Sequence, residues 1–171
     1  MTIEKNRRLT ALAMLSAAAV VLSYAESVFI GPIYGVLRIG LANIASLLAL
    51  KYLGRREMVI VSAMRVLIGN LIRGTIFGST FWISAGGVFL SGLAMAAADY
   101  TESTVLFTSI IGAIAHSVGQ TVVVMFFYRQ AGIAAILPYL LLGSVPTGIA
   151  TGIIASSILK RLPSLKPIPA D

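Results

Sequence analysis

The chain has 171 residues, of which 58% are hydrophobic and 11% are charged, and its mean hydropathy is +0.95. This composition excludes a soluble globular domain, which needs far more polar surface, and indicates an integral membrane protein. The absence of cysteine excludes disulfides and cysteine-ligated metals. The net charge of +7 comes mostly from short basic tracts beside apolar segments, a pattern typical of membrane topology signals rather than of nucleic-acid binding.

Apolar runs separated by charged or Gly/Pro-containing turns predict an all-α integral membrane protein, a single domain over residues 1–171. We expect a bundle of six transmembrane helices followed by a cytoplasmic tail over residues 160–171. The predicted spans are residues 9–26, 40–53, 58–77, 81–98, 104–127 and 133–159.

The first predicted span is rich in alanine and ends in an acidic residue. Ala13 and Ala17 are four residues apart, a spacing that suits close approach by another helix or ordinary internal packing. The basic residues before the span also fit a secretory signal, but the apolar run is long for a signal core and more membrane segments follow. We expect Glu26 at its end either to pair with a basic group, for which Arg38 and Arg73 are the candidates, or to be wetted at the interface.

The second predicted span follows a segment that glycine and proline break. We predict an ordered, lid-like loop over residues 27–39, where Gly31 and Pro32 interrupt the helix. Residues 40–53 are short for a full span, so this helix is tilted, extended into the loop, or sheltered by other helices. Asn43 within it either lines a polar pocket or makes a helix-to-helix hydrogen bond.

The third predicted span carries the sequence RVLIGNLIRG, with two arginines in an otherwise apolar run. At 100° per residue, Arg65, Gly69 and Arg73 share one broad face of the helix and Asn70 lies at its margin. Charged side chains at membrane depth usually face a bundle interior and have a function there. The alternative is that the arginines reach toward water or lipid headgroups from the helix ends.

The fifth predicted span carries a second polar stripe, because Ser109, Gly112, His116 and Gln120 recur at three- or four-residue steps. His116 and Gln120 therefore supply hydrogen-bonding groups to one face, although a single histidine is more often structural than a ligand. The sixth span carries small residues that permit close helix packing.

The distribution of basic residues predicts that both termini are cytoplasmic in a bacterial-type plasma membrane. Three segments, the N-terminus, the turn after the second span and the tail, hold nine of the thirteen Lys and Arg residues: Lys5, Arg7, Arg8, Lys51, Arg55, Arg56, Lys160, Arg161 and Lys166.

Four motifs together resemble the Gx transporter family, also labelled heptaprenyl diphosphate synthase component I. They are Glu26 before the Pro/Gly loop, RIGLANIASLLALKYLG from Arg38, RVLIGNLIRG from Arg65, and AHSVGQ from Ala115. The resemblance implies a substrate-binding S component of an energy-coupling factor (ECF) transporter, with a membrane coupling subunit and two cytoplasmic ATPases as partners. It also implies that the small-residue face at Ala13 and Ala17 docks the coupling subunit.

The sequence favours a binding subunit over a self-contained pump or a prenyltransferase. It contains no phosphate-binding G-x-x-x-x-G-K-[ST] motif, so partners would hydrolyse ATP. It has only two aspartates, too few for the aspartate-rich motifs of prenyl synthases, and we expect no metal and no cofactor.

We predict an outward-opening pocket between the 27–39 loop and the third, fifth and sixth helices, for a small anionic metabolite or a vitamin- or isoprenoid-like precursor. One alternative is a non-catalytic accessory subunit of a polyprenyl diphosphate synthase or a quinone-related complex. Another is a stand-alone transporter coupled through Glu26. The predicted substrate-binding residues are Arg65, Asn70, Arg73, His116, Gln120, Glu26, Arg38 and Asn43.

Overall fold

The computed structural model describes residues 3–29 and 41–162. That part of the chain is helical, with no β-strand, as the composition predicts. Arg38, most of the predicted 27–39 loop and the end of the tail lie outside the described residues. The helices are α1 (Ile3–Phe29), α2 (Leu41–Tyr52), α3 (Arg55–Ile72), α4 (Ser79–Tyr100), α5 (Val105–Tyr128), a 3-10 helix (Ala131–Ile136) and α6 (Leu137–Arg161).

Four helical segments in the described part of the chain are long and apolar enough to cross a membrane: Lys5–Val28, Ser79–Tyr100, Val105–Tyr128 and Ala131–Arg161. The predicted all-α membrane protein is therefore confirmed, but α2 and α3 do not meet the same criterion. The α2 helix has only 12 residues. The α3 helix has 18 residues and carries Arg55, Arg56, Glu57 and Arg65, whose charges lower its hydropathy.

The short α2 helix forms the centre of the fold. Every residue from Ile44 to Leu50 is buried, and α2 packs against α1, α3, α5 and α6. Its apolar side chains meet Val61 and Met58 from α3, Met95 from α4 and Ala155 from α6 in one hydrophobic cluster. A stretch of 10 to 14 apolar residues is more typical of a core helix than of a membrane span. The burial of α2 agrees with shelter by other helices, one of the three alternatives for this segment.

Ion pairs tie four helices together at one end of the bundle, which we call the charged end. Arg8 of α1 pairs with Glu57 of α3. Lys51 of α2 donates to Asp99 Oδ1 of α4 at 2.8 Å, and Arg55 of α3 donates to Asp99 Oδ2 at 3.4 Å. Since these residues are at the start of α1 and α3 and at the end of α2 and α4, neighbouring helices alternate in direction.

Glycines bring α4 and α5 into the closest contact in the bundle. A methyl group added to Gly119 would lie 2.5 Å from Gly86 O, and one added to Gly87 would lie 2.6 Å from Gln120 Cγ. Such distances are far shorter than van der Waals contact, so a side chain at either position would force the helices or the facing side chains to move. The close approach fixes how α5 presents His116 toward α4.

The small residues of α6 pack against α5. A methyl group added to Gly148 would lie 2.8 Å from Ile110 Cα, and Ser109 Oγ is 2.8 Å from Thr151 Oγ1. Hydrogen bonds of this kind satisfy hydroxyl groups that face a helix interface in a membrane. The polar stripe predicted on α5 therefore divides, because Ser109 faces α6 while Gly112 lies against Met95 and Ser91 of α4.

Candidate functional site

A polar cavity lies at the end of the bundle opposite the charged end, which we call the cavity end. It is bordered by the last turns of α1, the first turn of α2, the second half of α3, the first half of α4 and the middle of α5. Most of its lining is polar or charged, which is unusual at membrane depth. The described residues that line it are Ser23, Glu26, Asn43, Arg65, Val66, Asn70, Arg73, Ser84, Val88 and His116.

Arg65 is the most deeply buried cation of this cavity, with 6% of its surface exposed. Its Nη1 atom donates a hydrogen bond of 2.8 Å to Asn43 Oδ1 of α2. A guanidinium group has five N–H donors in a planar fork, so this bond leaves other donors to serve other acceptors. Asn43 thus lines the cavity and also makes a hydrogen bond between two helices. Both of the alternatives predicted for it are observed.

Arg73 folds back along α3 toward Arg65 rather than extending from the helix end. A methyl group added to Gly69 would lie 3.4 Å from Arg73 Nη2 and 3.7 Å from Ser23 Oγ. The guanidinium group therefore covers the backbone at Gly69, one turn before its own Cα. The two arginines share one side of α3, as their spacing predicts, and they border the same cavity.

Asn70 is fully buried, and its amide group is used within α3 and the turn that follows. Its Nδ2 atom donates to Val66 O at 2.7 Å, and its Oδ1 atom accepts from Thr75 Oγ1 at 3.0 Å. The Thr75 N–H also donates to Asn70 O at 2.9 Å. The bond from Thr75 N–H satisfies one of the carbonyl groups that the end of a helix leaves without a partner, so Asn70 organises the end of α3 beside the arginines.

His116 enters the cavity wall from α5, whereas Gln120 lies behind it. Both side chains pack against Gly87 of α4, where an added methyl group would lie 2.9 Å from His116 Cε1 and 2.6 Å from Gln120 Cγ. Gln120 is buried but does not line the cavity. The predicted stripe thus brings the histidine to the site and leaves the glutamine at the interface of α4 and α5.

Glu26 provides the one acidic side chain among the described residues that line the cavity, and 5% of its surface is exposed. With Arg65 and Arg73, the cavity has two formal positive charges and one negative charge. An environment of this kind favours an anionic group over a neutral or cationic one. The free volume of the cavity is about 20 Å³, which admits one or two water-sized groups.

The structure places six predicted residues around this one cavity: Glu26, Asn43, Arg65, Asn70, Arg73 and His116. Arg38 lies outside the described residues. Ser23 and Ser84, both buried, were not predicted as site residues. Ser23 precedes Glu26 by three residues, so helical periodicity alone places it on the same face of α1.

The sixth helix was also expected to border the substrate pocket. No residue of α6, which the structure describes throughout, lines the polar cavity. The small residues of α6 face α5 instead, where Ser144 Oγ bonds to Ser117 Oγ and Thr151 Oγ1 bonds to Ser109 Oγ. Helices α1 and α4 border the cavity together with α2, α3 and α5.

No cluster of three or more His, Asp or Glu side chains that could hold a metal ion occurs in residues 3–29 and 41–162. The chemistry of the site within these residues is therefore that of guanidinium, carboxylate, amide, hydroxyl and imidazole groups. Such groups can form hydrogen bonds and ion pairs with a polar molecule.

Comparison with known proteins identifies a family for this chain. The family model described as heptaprenyl diphosphate synthase component I matches residues 15–158, which include every described residue that lines the polar cavity. No curated protein and no solved structure matches the chain.

Proposed function

This chain belongs to the heptaprenyl diphosphate synthase component I family, also labelled the Gx transporter family, and we propose that it is the substrate-binding membrane subunit of an importer. The importer would be of the ECF type, in which a membrane coupling subunit and two cytoplasmic ATPases supply the energy. The substrate would be a small molecule with an anionic group.

The observation that carries this proposal is the polar cavity with its two arginines. Arg65 and Arg73 border one cavity within a bundle of apolar helices, and a single carboxylate, Glu26, opposes them among the described lining residues. Guanidinium groups bind carboxylate or phosphate in a bidentate manner, and this interaction is stronger away from water. His116 and Asn43 add further hydrogen-bonding groups that would orient the bound anion.

The position of the cavity supports capture from the outside. The charged end carries the basic tracts at Arg8, Lys51 and Arg55, which by the positive-inside rule lie in the cytoplasm. The cavity is at the opposite end of the same helices. The proposed topology therefore has cytoplasmic termini, six helices within the plasma membrane, and a binding site in its outer half.

The proposed surface for the coupling subunit is the free face of α1. Ala13 and Ala17 are exposed, and Met14 and Val21 beside them expose 69% and 65% of their surface. Small residues on a lipid-exposed face allow another helix to approach closely. The chain itself would perform no catalysis, and its partners would hydrolyse ATP.

The description of the family favours a second candidate function. A "component I" works with other subunits, so this chain could be a non-catalytic membrane subunit of a polyprenyl diphosphate synthase. Both functions involve partners, and the identity of those partners separates them.

Affinity purification from the native membrane in mild detergent, followed by mass spectrometry, tests the proposed function. Recovery of a coupling subunit with two ATPases is the expected result. Recovery of a prenyl synthase without ATPases would reject the importer and support the second function. The exposed surface of α6 offers a control, because replacing Leu142, which exposes 72% of its surface, with alanine should leave the recovered partners unchanged.

A further inference from the structure

A large apolar groove runs between α3 and α4, next to the polar cavity. Its free volume is about 470 Å³, compared with about 20 Å³ for the cavity. Val59, Leu67, Phe89 and Leu93 form its open sides, where 44% to 69% of each residue is exposed. The groove is therefore open along its length to the surroundings of the helix pair.

The base of the groove is apolar and closed. Met58 and Phe81, which lie there, are 1% and 8% exposed. Ser62 is the one uncharged polar residue that lines the groove, and its Oγ atom is 3.0 Å from Ser46 Oγ in a buried hydrogen bond. Since that hydroxyl is satisfied by α2, the base of the groove offers a ligand little besides carbon contacts.

Val66 and Val88 separate the groove from the polar cavity, because both residues line both spaces. Val66 is on α3, next to Arg65 in sequence, and Val88 is on α4, one turn after Ser84. A charged space and a much larger apolar space thus meet at a partition only one side chain thick. From Val66 the groove continues for two turns of α3 to Met58, a distance of about 12 Å.

We propose that the ligand of this protein is an amphiphile whose anionic head group binds in the polar cavity and whose apolar chain passes between Val66 and Val88 into the α3–α4 groove. This inference rests on the proposed function and names its substrate class. The small volume of the cavity supports it, because space for one or two water-sized groups can take oxygen atoms of a head group but not a chain. The groove has the volume and the carbon lining that an apolar chain requires.

The open side of the groove provides a route for such a ligand. An amphiphile resides in the bilayer with its chain among the lipid tails and its head near the interface. It can therefore enter sideways between α3 and α4 without moving its chain through water. A hydrophilic metabolite would gain nothing from the groove.

Gly92 of α4 allows a direct test, because it lies in the groove and has room around it. A methyl group added to Gly92 would meet only Met58 Cε, at 3.9 Å, within ordinary contact distance. Gly92→Leu therefore fills part of the groove without a backbone clash, and it raises helix propensity. Gly132 provides a matched control, since nothing lies within 4 Å of its added methyl group and it is outside the groove.

The experiment measures binding of ethyl, hexyl and decyl phosphate to the full chain in phosphatidylcholine nanodiscs. For the unmodified protein and Gly132→Leu, affinity should rise by roughly tenfold or more from ethyl to decyl phosphate, as buried methylene groups contribute. In Gly92→Leu this gain should fall to roughly threefold or less, since leucine takes the place of several methylene groups. Val88→Phe, which enlarges the partition, should reduce the same gain.

Three outcomes would overturn the proposal. They differ in whether the anion site of the proposed function is rejected as well. In the first outcome, ethyl phosphate binds and Arg65→Ala abolishes its binding, but affinity does not depend on chain length, or depends on it equally in Gly92→Leu and the unmodified protein. The groove then does not bind the chain, and the anion site remains. In the second outcome, decyl phosphate binds to Arg65→Ala with the same affinity as to the unmodified protein. The groove then holds an apolar chain without any contribution from the cavity, as it would hold the chain of a bilayer lipid. If none of the three phosphates, nor the corresponding carboxylates, binds, the anion site of the proposed function fails as well.

Discussion

Arg65 and Asn43 are joined by a hydrogen bond of 2.8 Å from Nη1 to Oδ1, which links the second half of α3 to the first turn of α2 at the wall of the polar cavity. The bond orients the guanidinium group without neutralising it, because an amide oxygen has no net charge. Asn43 therefore holds Arg65 at the cavity wall without adding a charge of its own.

Asn43→Asp should weaken anion binding. The new carboxylate would lie at hydrogen-bond distance from Arg65 and compete with the ligand for it, which we expect to lower the affinity for ethyl phosphate by roughly tenfold. Asn43→Ala removes the bond without adding charge and should change the affinity by less than about threefold. Calorimetric titration in nanodiscs measures both. Equal affinities in the two variants would show that the charge of Arg65 does not contact the anion.

Thr75→Val should destabilise the protein through Asn70. The substitution removes the donor to Asn70 Oδ1 and leaves a buried amide oxygen without that bond, at a cost of about 1–3 kcal/mol. Thr75→Ser keeps the hydroxyl and should remain close to the unmodified protein in thermal unfolding. If Thr75→Val keeps its unfolding temperature, the bond between Thr75 and Asn70 does not stabilise the end of α3.

Gly119→Ala should disrupt the contact between α4 and α5. The added methyl group would lie 2.5 Å from Gly86 O and 3.0 Å from Leu90 Cβ, so the helices must separate, at a cost of about 1–3 kcal/mol beyond the gain in helix propensity. Gly132→Ala meets no atom within 4 Å and is the control. Thermal unfolding in detergent compares them. Equal unfolding temperatures would mean that the helix pair adjusts without cost.

Ala17→Trp should prevent assembly with the proposed coupling subunit while leaving ligand binding unchanged. A bulky ring on the exposed face of α1 keeps another helix from close approach, and Ala17 does not line the polar cavity. We expect recovery of the ATPases to fall by roughly tenfold or more in co-purification, with the same affinity for ethyl phosphate. Leu142→Trp, at an exposed position on α6, is the control. Normal recovery from Ala17→Trp would place the coupling surface elsewhere.

Helical periodicity was sufficient to group the two arginines of the cavity. The spacing of Arg65 and Arg73 predicts a common face of α3, and the structure places both at one cavity. Asn43 and Glu26 were predicted because polar groups at membrane depth need partners. Which helices surround these residues depends on packing between distant segments, and periodicity within one helix carries no information about it.

The role of α4 was missed for that reason. Its contribution to the cavity comes from Ser84 and Val88, which are unremarkable in an apolar helix. They reach the cavity because α4 fits closely against α5 through Gly86 and Gly119. The same contact places Gln120 against Gly87, so that it does not line the cavity. The glycines were visible in the sequence, but only the pairing of α4 with α5 shows that they allow these two helices to approach closely.

The shortness of α2 bears on how the protein is made. Its 12 residues extend for about 18 Å, whereas the hydrocarbon core of a bilayer is about 30 Å thick. A translocon that releases segments according to their own affinity for lipid would hold such a segment poorly in isolation. We therefore expect α2 to enter the membrane together with α3, as a hairpin closed by the turn at Leu53 and Gly54. Correct biosynthesis of the central helix then depends on residues that are translated after it.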